Sequence, residues 1–258
     1  MVDERLLAPN WPAPDNIVAL ATTRCGVANF SGASVSEYSQ FNLGDHVDDS
    51  PASVEKNRKA LLATCDGLSS IAWLQQVHGV DVCKLPFSPI NPTVADASIT
   101  AETGLACAVL TADCLPVLFC RVDGGEVAAA HAGWRGLCNG MLKNTVDAFG
   151  CSPQQLMAWT GPAISQAHFE VGPEVYQAFL DGFGSVTKEQ IDSAFKPSVE
   201  RSGYFYADLR ALAHYQLQGL GLAWVGGTTS CTYQEAERFY SYRRDGKTGR
   251  QASLIYRR

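Results

Sequence analysis

The stretch LACAVLTADCLPVLFCRVDGGEVAAAHAGWRG, residues 105–136, reads as three strands and the entry to a helix. Residues 105–110 form one apolar run and 116–122 another, each of strand length. Pro116 has no backbone donor, which points to an edge position for the second run. Asp123-Gly124-Gly125 is a hairpin signal, and residues 126–130 return as a third strand. That strand runs into His131-Ala132-Gly133-Trp134-Arg135-Gly136, and residues 137–149 read as a helix.

The flanking sequence continues the pattern. Trp11-Pro12-Ala13-Pro14-Asp15 leads into a strand over residues 17–21, broken by Thr23-Arg24-Cys25-Gly26-Val27. Ser53 is the expected cap of a helix over 54–65, with Gly67 as its stop. Residues 71–77 are an apolar run carrying Gln75-Gln76 near its end. Beyond the centre come a strand over 156–160, a helix over 173–180 opened by Pro173, and a helix capped by Asp208. Short strands over 222–225 and 253–256 complete the set. Strands and helices alternate irregularly, with hairpins among them. The expectation is a mixed α+β fold with helices covering sheet faces, in one domain over residues 1–258.

Composition narrows the functional classes. A chain of 258 residues can bury a large core. A formal charge of -6 offers no basic surface for nucleic acid. No apolar run reaches membrane-spanning length, and Met1-Val2-Asp3-Glu4-Arg5 lacks the basic lead of a secretory signal. The expected compartment is the cytoplasm, with neither nucleic acid nor membrane as partner. Nine cysteines, an odd number with no CxxC pair, fit a reducing compartment where thiols serve as small core residues.

Three residues stand out because each sits where an apolar run meets a turn: His78, Cys114 and His131. If their strands lie side by side, two imidazoles and a thiol meet at one sheet edge. That donor set suits zinc, with a fourth position open for water. On spacing alone, a metal site and ordinary satisfied histidines remain two readings, since no HxH or HExxH pair occurs. Arg135 at a helix entry, Arg24 beside Gly26, and the Tyr242–Gln251 segment with Arg243, Arg244, Lys247 and Arg250 are candidate anion contacts, with plain surface loops as the alternative.

Four motifs then carry a resemblance. Leu74-Gln75-Gln76-Val77-His78-Gly79, Thr111-Ala112-Asp113-Cys114-Leu115-Pro116, His131-Ala132-Gly133-Trp134-Arg135-Gly136 and Arg243-Arg244-Asp245-Gly246 through Gly249-Arg250-Gln251 are similar to the laccase-domain family. That family is also described as polyphenol oxidase, purine nucleoside phosphorylase and peptidoglycan editing factor. The resemblance covers nearly the whole chain. It implies zinc at His78, Cys114 and His131, and sheets sandwiched between helices, similar to cysteine-dependent toxin deamidases. It implies phosphorolysis of adenosine, inosine and methylthioadenosine, with adenosine deamination. Where many members carry Cys-Tyr-Glu-Val, this chain has His168-Phe169-Glu170-Val171.

Counting tests the laccase name. A His₂Cys set suits a blue-copper centre with an axial Met, and copper is therefore the alternative ion. A multicopper oxidase also needs a three-copper cluster built from many histidines. After His78 and His131 only His46, His168 and His214 remain, so this chain cannot build that cluster. The leading expectation is a zinc-dependent enzyme on purine nucleosides and phosphate, with Asp113 or Asp245 as the carboxylate near the chemistry and Arg24, Arg135 and Arg250 as phosphate or ribose contacts. The alternative is a cysteine hydrolase with Cys114 as nucleophile, such as an amidase editing a peptidoglycan precursor. A third is a zinc-stabilised binding module, which lacks an evident fourth ligand.

Overall fold

The computed structural model describes residues 5–86, 93–184 and 186–258. Met1 to Glu4, part of the stretch read for a secretory lead, lie outside the described residues. Two sheets dominate. A five-stranded sheet runs β1 (Leu6–Leu7), β2 (Ile17–Thr22), β14 (Gln251–Arg257), β6 (Leu105–Thr111), β3 (Ser70–Ala72). A six-stranded sheet runs β13 (Trp224–Gly227), β9 (Leu156–Thr160), β7 (Leu115–Arg121), β8 (Val127–Ala132), β5 (Ala97–Thr100), β4 (Val82–Lys84). A small sheet, β10 (Glu170–Val171), β12 (Phe205–Ala207), β11 (Phe195–Pro197), stands apart.

Alternation along the strands explains the layering. In β6, Cys107 and Val109 face the six-stranded sheet, where Leu118, Cys120, Val127, Ala129 and Trp159 meet them. Ala106, Ala108 and Leu110 face the other way, against Leu61 of helix α1 (Pro51–Thr64). Leu115, Val117 and Phe119 of β7 pack under helices α2 (Trp134–Cys138), α3 (Met141–Ala148), α4 (Pro173–Gly182), α5 (Lys188–Ala194) and α6 (Leu209–Leu220). A last short helix, α7 (Tyr242–Asp245), precedes β14. The fold is thus α+β, with two mixed sheets face to face between helical layers. Among the described residues, no helix is long and apolar enough to cross a membrane.

Several expectations are corrected. The strand containing Pro116 is central, between β8 and β9, not at an edge. Pro116 pairs with His131, and its carbonyl accepts Gly161 N–H just past the end of β9, so its missing donor falls where the neighbouring strand has stopped. The helix read over 137–149 is two helices, because Gly140 at φ +97° breaks it. Helix α1 starts at Pro51, using proline's preset φ in its first turn, rather than behind a Ser53 cap. Of the apolar run 71–77, only the part to Ala72 is strand, with one isolated bridge beyond it from Gln75 to Val94. The strands that lead into His78 and Cys114, β3 and β6, do lie side by side, but β8, which carries His131, belongs to the other sheet, so the three meet between two sheets rather than at the edge of one.

Candidate metal centre

The centre forms where the chain crosses between the sheets. After β6, Ala112-Asp113 turns the chain into β7, with Asp113 at φ +95°. Both oxygens of the Asp113 carboxylate are engaged: one accepts the Thr232 hydroxyl (2.6 Å), the other the Arg243 N–H (2.7 Å). Asp113 therefore ties α7 to the turn that presents Cys114. It is not among the residues lining the cavity over the cluster.

His78 arrives on a loop held by two devices. The Gln76 amide donates to Leu110 O (2.9 Å) and accepts Leu110 N–H (2.8 Å), clamping the loop to β6 like a missing strand neighbour. The carboxylate of Asp96, 0% exposed, accepts N–H groups of Val77 (3.1 Å), His78 (2.9 Å) and Gly79 (2.7 Å). These bonds support His78 at φ +60°, a conformation that non-glycine residues seldom adopt. The same carboxylate lies 2.8 Å from His131 Nδ1, leaving Nε2 for the centre. His131 is the next-to-last residue of strand β8, and its own N–H donates to Asp96 O (2.7 Å).

The donor atoms of His78, Cys114 and His131 all lie within 4.8 Å of one another, the one such group among the described residues. Cys114 Sγ is 3.8 Å from His78 Nε2, and the two imidazoles meet edge to face at 4.7 Å between centroids. Two donors about 2.1 and 2.3 Å from a tetrahedral ion stand roughly 3.6 Å apart. The group therefore fits a metal, with a carboxylate fixing one ligand ring as metal sites commonly require. His131 is buried and His78 exposed, which leaves one side of the cluster open. Gly133 makes the closure possible: a Cβ there would sit 3.0 Å from Cys114 Sγ and 3.2 Å from His78 Cδ2.

The electrostatics of the metal-free cluster favour charge separation. Burial pushes the Cys114 thiol up, but the His131 charge and hydrogen bonds to both histidines outweigh it and bring it down to about 6. Burial opposes protonation of His131, yet Cys114 and Asp96 raise it to about 9. Burial likewise works against the Asp96 charge, while His131 and the N–H groups of Gly79 and Val77 hold that carboxyl below its ordinary range.

A cavity of about 270 Å³ opens over the cluster, lined also by His46, Gln76, Thr111, Tyr242 and Arg250. Thr111 is 2% exposed, and its hydroxyl has no hydrogen-bond partner among the described residues. Of the basic segment's four cations, Arg250 is the one that lines this cavity. Arg243 donates to Glu170 O, Arg244 to Thr232 O, Tyr233 O and Asp245, and Lys247 pairs with Glu37.

The other expected contacts lie elsewhere. Arg24 donates to Ser39 O and Ala236 O and stacks over Tyr240. With Asp245, which is bound by Arg244, it lines a separate cavity. Arg135 is exposed and lies over the Trp134 ring. None of these three lines the cavity over the cluster: Arg24 and Asp245 are bonded to local partners beside another cavity, and Arg135 faces outward. His168 stacks on Tyr233, and His214 lies 3.1 Å from the Thr160 hydroxyl. Sequence reasoning missed Asp96, whose one signal is a carboxylate inside the small apolar run Val94-Ala95-Asp96-Ala97, and it passed over His46, Tyr242 and Thr111 as site residues.

Fold and cluster together define an α+β protein with an open His–Cys–His group compatible with a metal. The chain belongs to the family described as multi-copper polyphenol oxidoreductase laccase, whose model matches residues 19–258. It is 46% identical to the purine nucleoside phosphorylase YfiH of Escherichia coli (strain K12), over 98% of each chain. A purine nucleoside phosphorylase of Pseudomonas aeruginosa is also 46% identical, over 97% of each. Among solved structures, the Neisseria meningitidis protein NMB0706 superposes with a TM-score of 0.89 at 44% identity, covering 98% of this chain and 99% of that one.

Proposed function

We propose that this protein is a single-domain, zinc-dependent purine nucleoside phosphorylase of the cytoplasm, acting on adenosine, inosine and methylthioadenosine, with adenosine deamination as a second activity. The observation that carries this reading is one cavity shared by the His78–Cys114–His131 cluster and the Arg250 guanidinium. The names of the close relatives support the same class. All nine cysteines are free, in keeping with a reducing compartment.

The donor set favours zinc over a blue-copper or multicopper centre. Met141 and Met157 are buried in the core rather than lining the cavity, and His168 and His214 are engaged elsewhere. A zinc ion held by His78, Cys114 and His131 supplies Lewis-acid chemistry, polarising an oxygen and easing its loss of a proton near neutral pH. The chain's own residues do the rest. Asp96 fixes the His131 tautomer. Arg250 holds the phosphate dianion beside the sugar. Tyr242, 62% exposed at the rim, offers a face on which a purine can stack. Thr111 offers a buried hydroxyl to a ribose or purine polar group.

The test is direct. Inosine with inorganic phosphate is expected to yield hypoxanthine and ribose 1-phosphate. Turnover no faster with phosphate than without it removes the phosphorylase assignment.

One observation favours a second reading. In the metal-free cluster the thiolate–imidazolium pair of Cys114 and His131 is the arrangement of a cysteine hydrolase. Rapid alkylation of zinc-loaded protein, with matching loss of activity, would place this reading first.

A further inference from the structure

Cleaving a purine from ribose leaves negative charge on the base, so a proton donor near the base speeds the step. Several carboxylates around the site are already committed, Asp96 by His131 and the N–H groups of the His78 loop. Asp113 is bound by Thr232 and Arg243, and Glu170 by Ser198 and Arg201. The ligand histidines would be taken up in holding the metal. Among the remaining residues lining the cavity, His46 and Tyr242 carry a transferable proton.

His46 is the better placed, because its loop is built around Arg250. Asn42, 0% exposed, accepts the Arg250 N–H (2.8 Å), while Leu43 N–H donates to Arg250 O (3.0 Å). Asn57 of α1 donates to Asn42 O (2.8 Å), and Arg58 Nε to Leu43 O (3.0 Å). Gly44 lets the loop press against Arg250, since a Cβ there would meet its Cγ at 2.8 Å. The imidazole and the guanidinium are thus presented by one braced unit. His46 Nδ1 faces Asp45 Oδ1 at 3.6 Å, and Arg58 lies 3.3 Å from the same oxygen while stacking on Trp73. The adjacent imidazole and the Arg58 charge, against burial, hold the Asp45 carboxyl down to about 2, so it stays an anion beside His46.

Building on the phosphorylase reading, we infer that His46 is the general acid that protonates the departing purine, oriented by Asp45. As a phosphate oxygen bonds to C1′, the C1′–N9 bond breaks and its electron pair passes into the purine. The His46 proton moves to purine N7, and the imidazole recovers a proton from solvent. Tyr242 keeps the stacking role.

The experiment compares two nucleosides. Inosine needs that proton; 7-methylinosine, already alkylated at N7, leaves as a neutral base without it. His46→Gln and His46→Ala should lower kcat on inosine by about 10²–10⁴-fold. Zinc content should be unchanged, and kcat on 7-methylinosine should fall far less. Equal losses on both nucleosides, or no loss on inosine, overturn the inference. The same selective loss in Tyr242→Phe rather than in the His46 variants assigns the proton to the phenol and also overturns it. If the wild-type protein cleaves neither nucleoside with phosphate, the failure belongs to the phosphorylase reading itself.

Discussion

Asp96 and His131 meet at 2.8 Å with the imidazole 3% and the carboxylate 0% exposed, and the same carboxylate caps three N–H groups of the His78 loop. One side chain thus positions two of the three candidate ligands. Asp96→Asn removes the charge and disturbs that network while keeping the volume. Metal affinity, read by competition with a chelating dye, is expected to fall about 10–100-fold. An unchanged affinity would show that the two histidines hold their places without Asp96.

The metal-free cluster has a pH signature. With its thiol brought down to about 6, Cys114 is a thiolate above that pH and a thiol below it. After chelation, its alkylation rate should rise through about 6 and be flat by pH 7.5, whereas an ordinary thiol is still gaining reactivity toward about 8.5. Added zinc should suppress the reaction at every pH above the midpoint, because coordination occupies the sulfur. A rate that climbs steadily to pH 9 would contradict the pairing with His131.

His78, Cys114 and His131 were legible because each ends an apolar run, and that local signal survives folding. Asp96 was not, because its role depends on the β5–β8 register, which brings residues 96 and 131 together across 35 positions. Pro116 misled because a missing N–H costs nothing where the adjacent strand has already ended. Arg24 and Arg135 looked like anion contacts beside glycines, and Asp245 like a carboxylate near the chemistry. Sequence does not show that backbone carbonyls, a salt bridge and an indole already claim them. His46 sits in no motif, and only the stitching of Asn42 and Leu43 to Arg250 reveals where it stands.

Gly133 offers a steric test. Gly133→Ala sets a methyl 3.0 Å from Cys114 Sγ and 3.2 Å from His78 Cδ2. Relieving this overlap should cost about 1–3 kcal/mol in the metal-free protein, read by urea denaturation. Zinc affinity should fall as well, since the ligands must spread. Full zinc affinity in the alanine variant would mean the cluster is looser than its geometry indicates.

The arginines separate by place. Arg250→Ala should raise the KM for phosphate about tenfold or more, since a charge-assisted contact is worth roughly 1.5–3 kcal/mol. Arg135→Ala should leave that KM unchanged, and Arg24→Ala should act on thermal stability instead, through its bonds to Ser39 O and Ala236 O. Adenosine deamination, which uses no phosphate, should be spared in Arg250→Ala. Steady-state kinetics on the three variants, with a thermal melt of Arg24→Ala, decide among these outcomes.

The most direct measurement is a zinc titration of metal-free protein followed by phosphate-dependent inosine cleavage. Activity should rise linearly and stop at one zinc per chain, and His131→Ala should neither retain the ion nor gain activity. Full phosphate-dependent cleavage by the chelated protein, before any zinc is added, would contradict a metal centre at His78, Cys114 and His131.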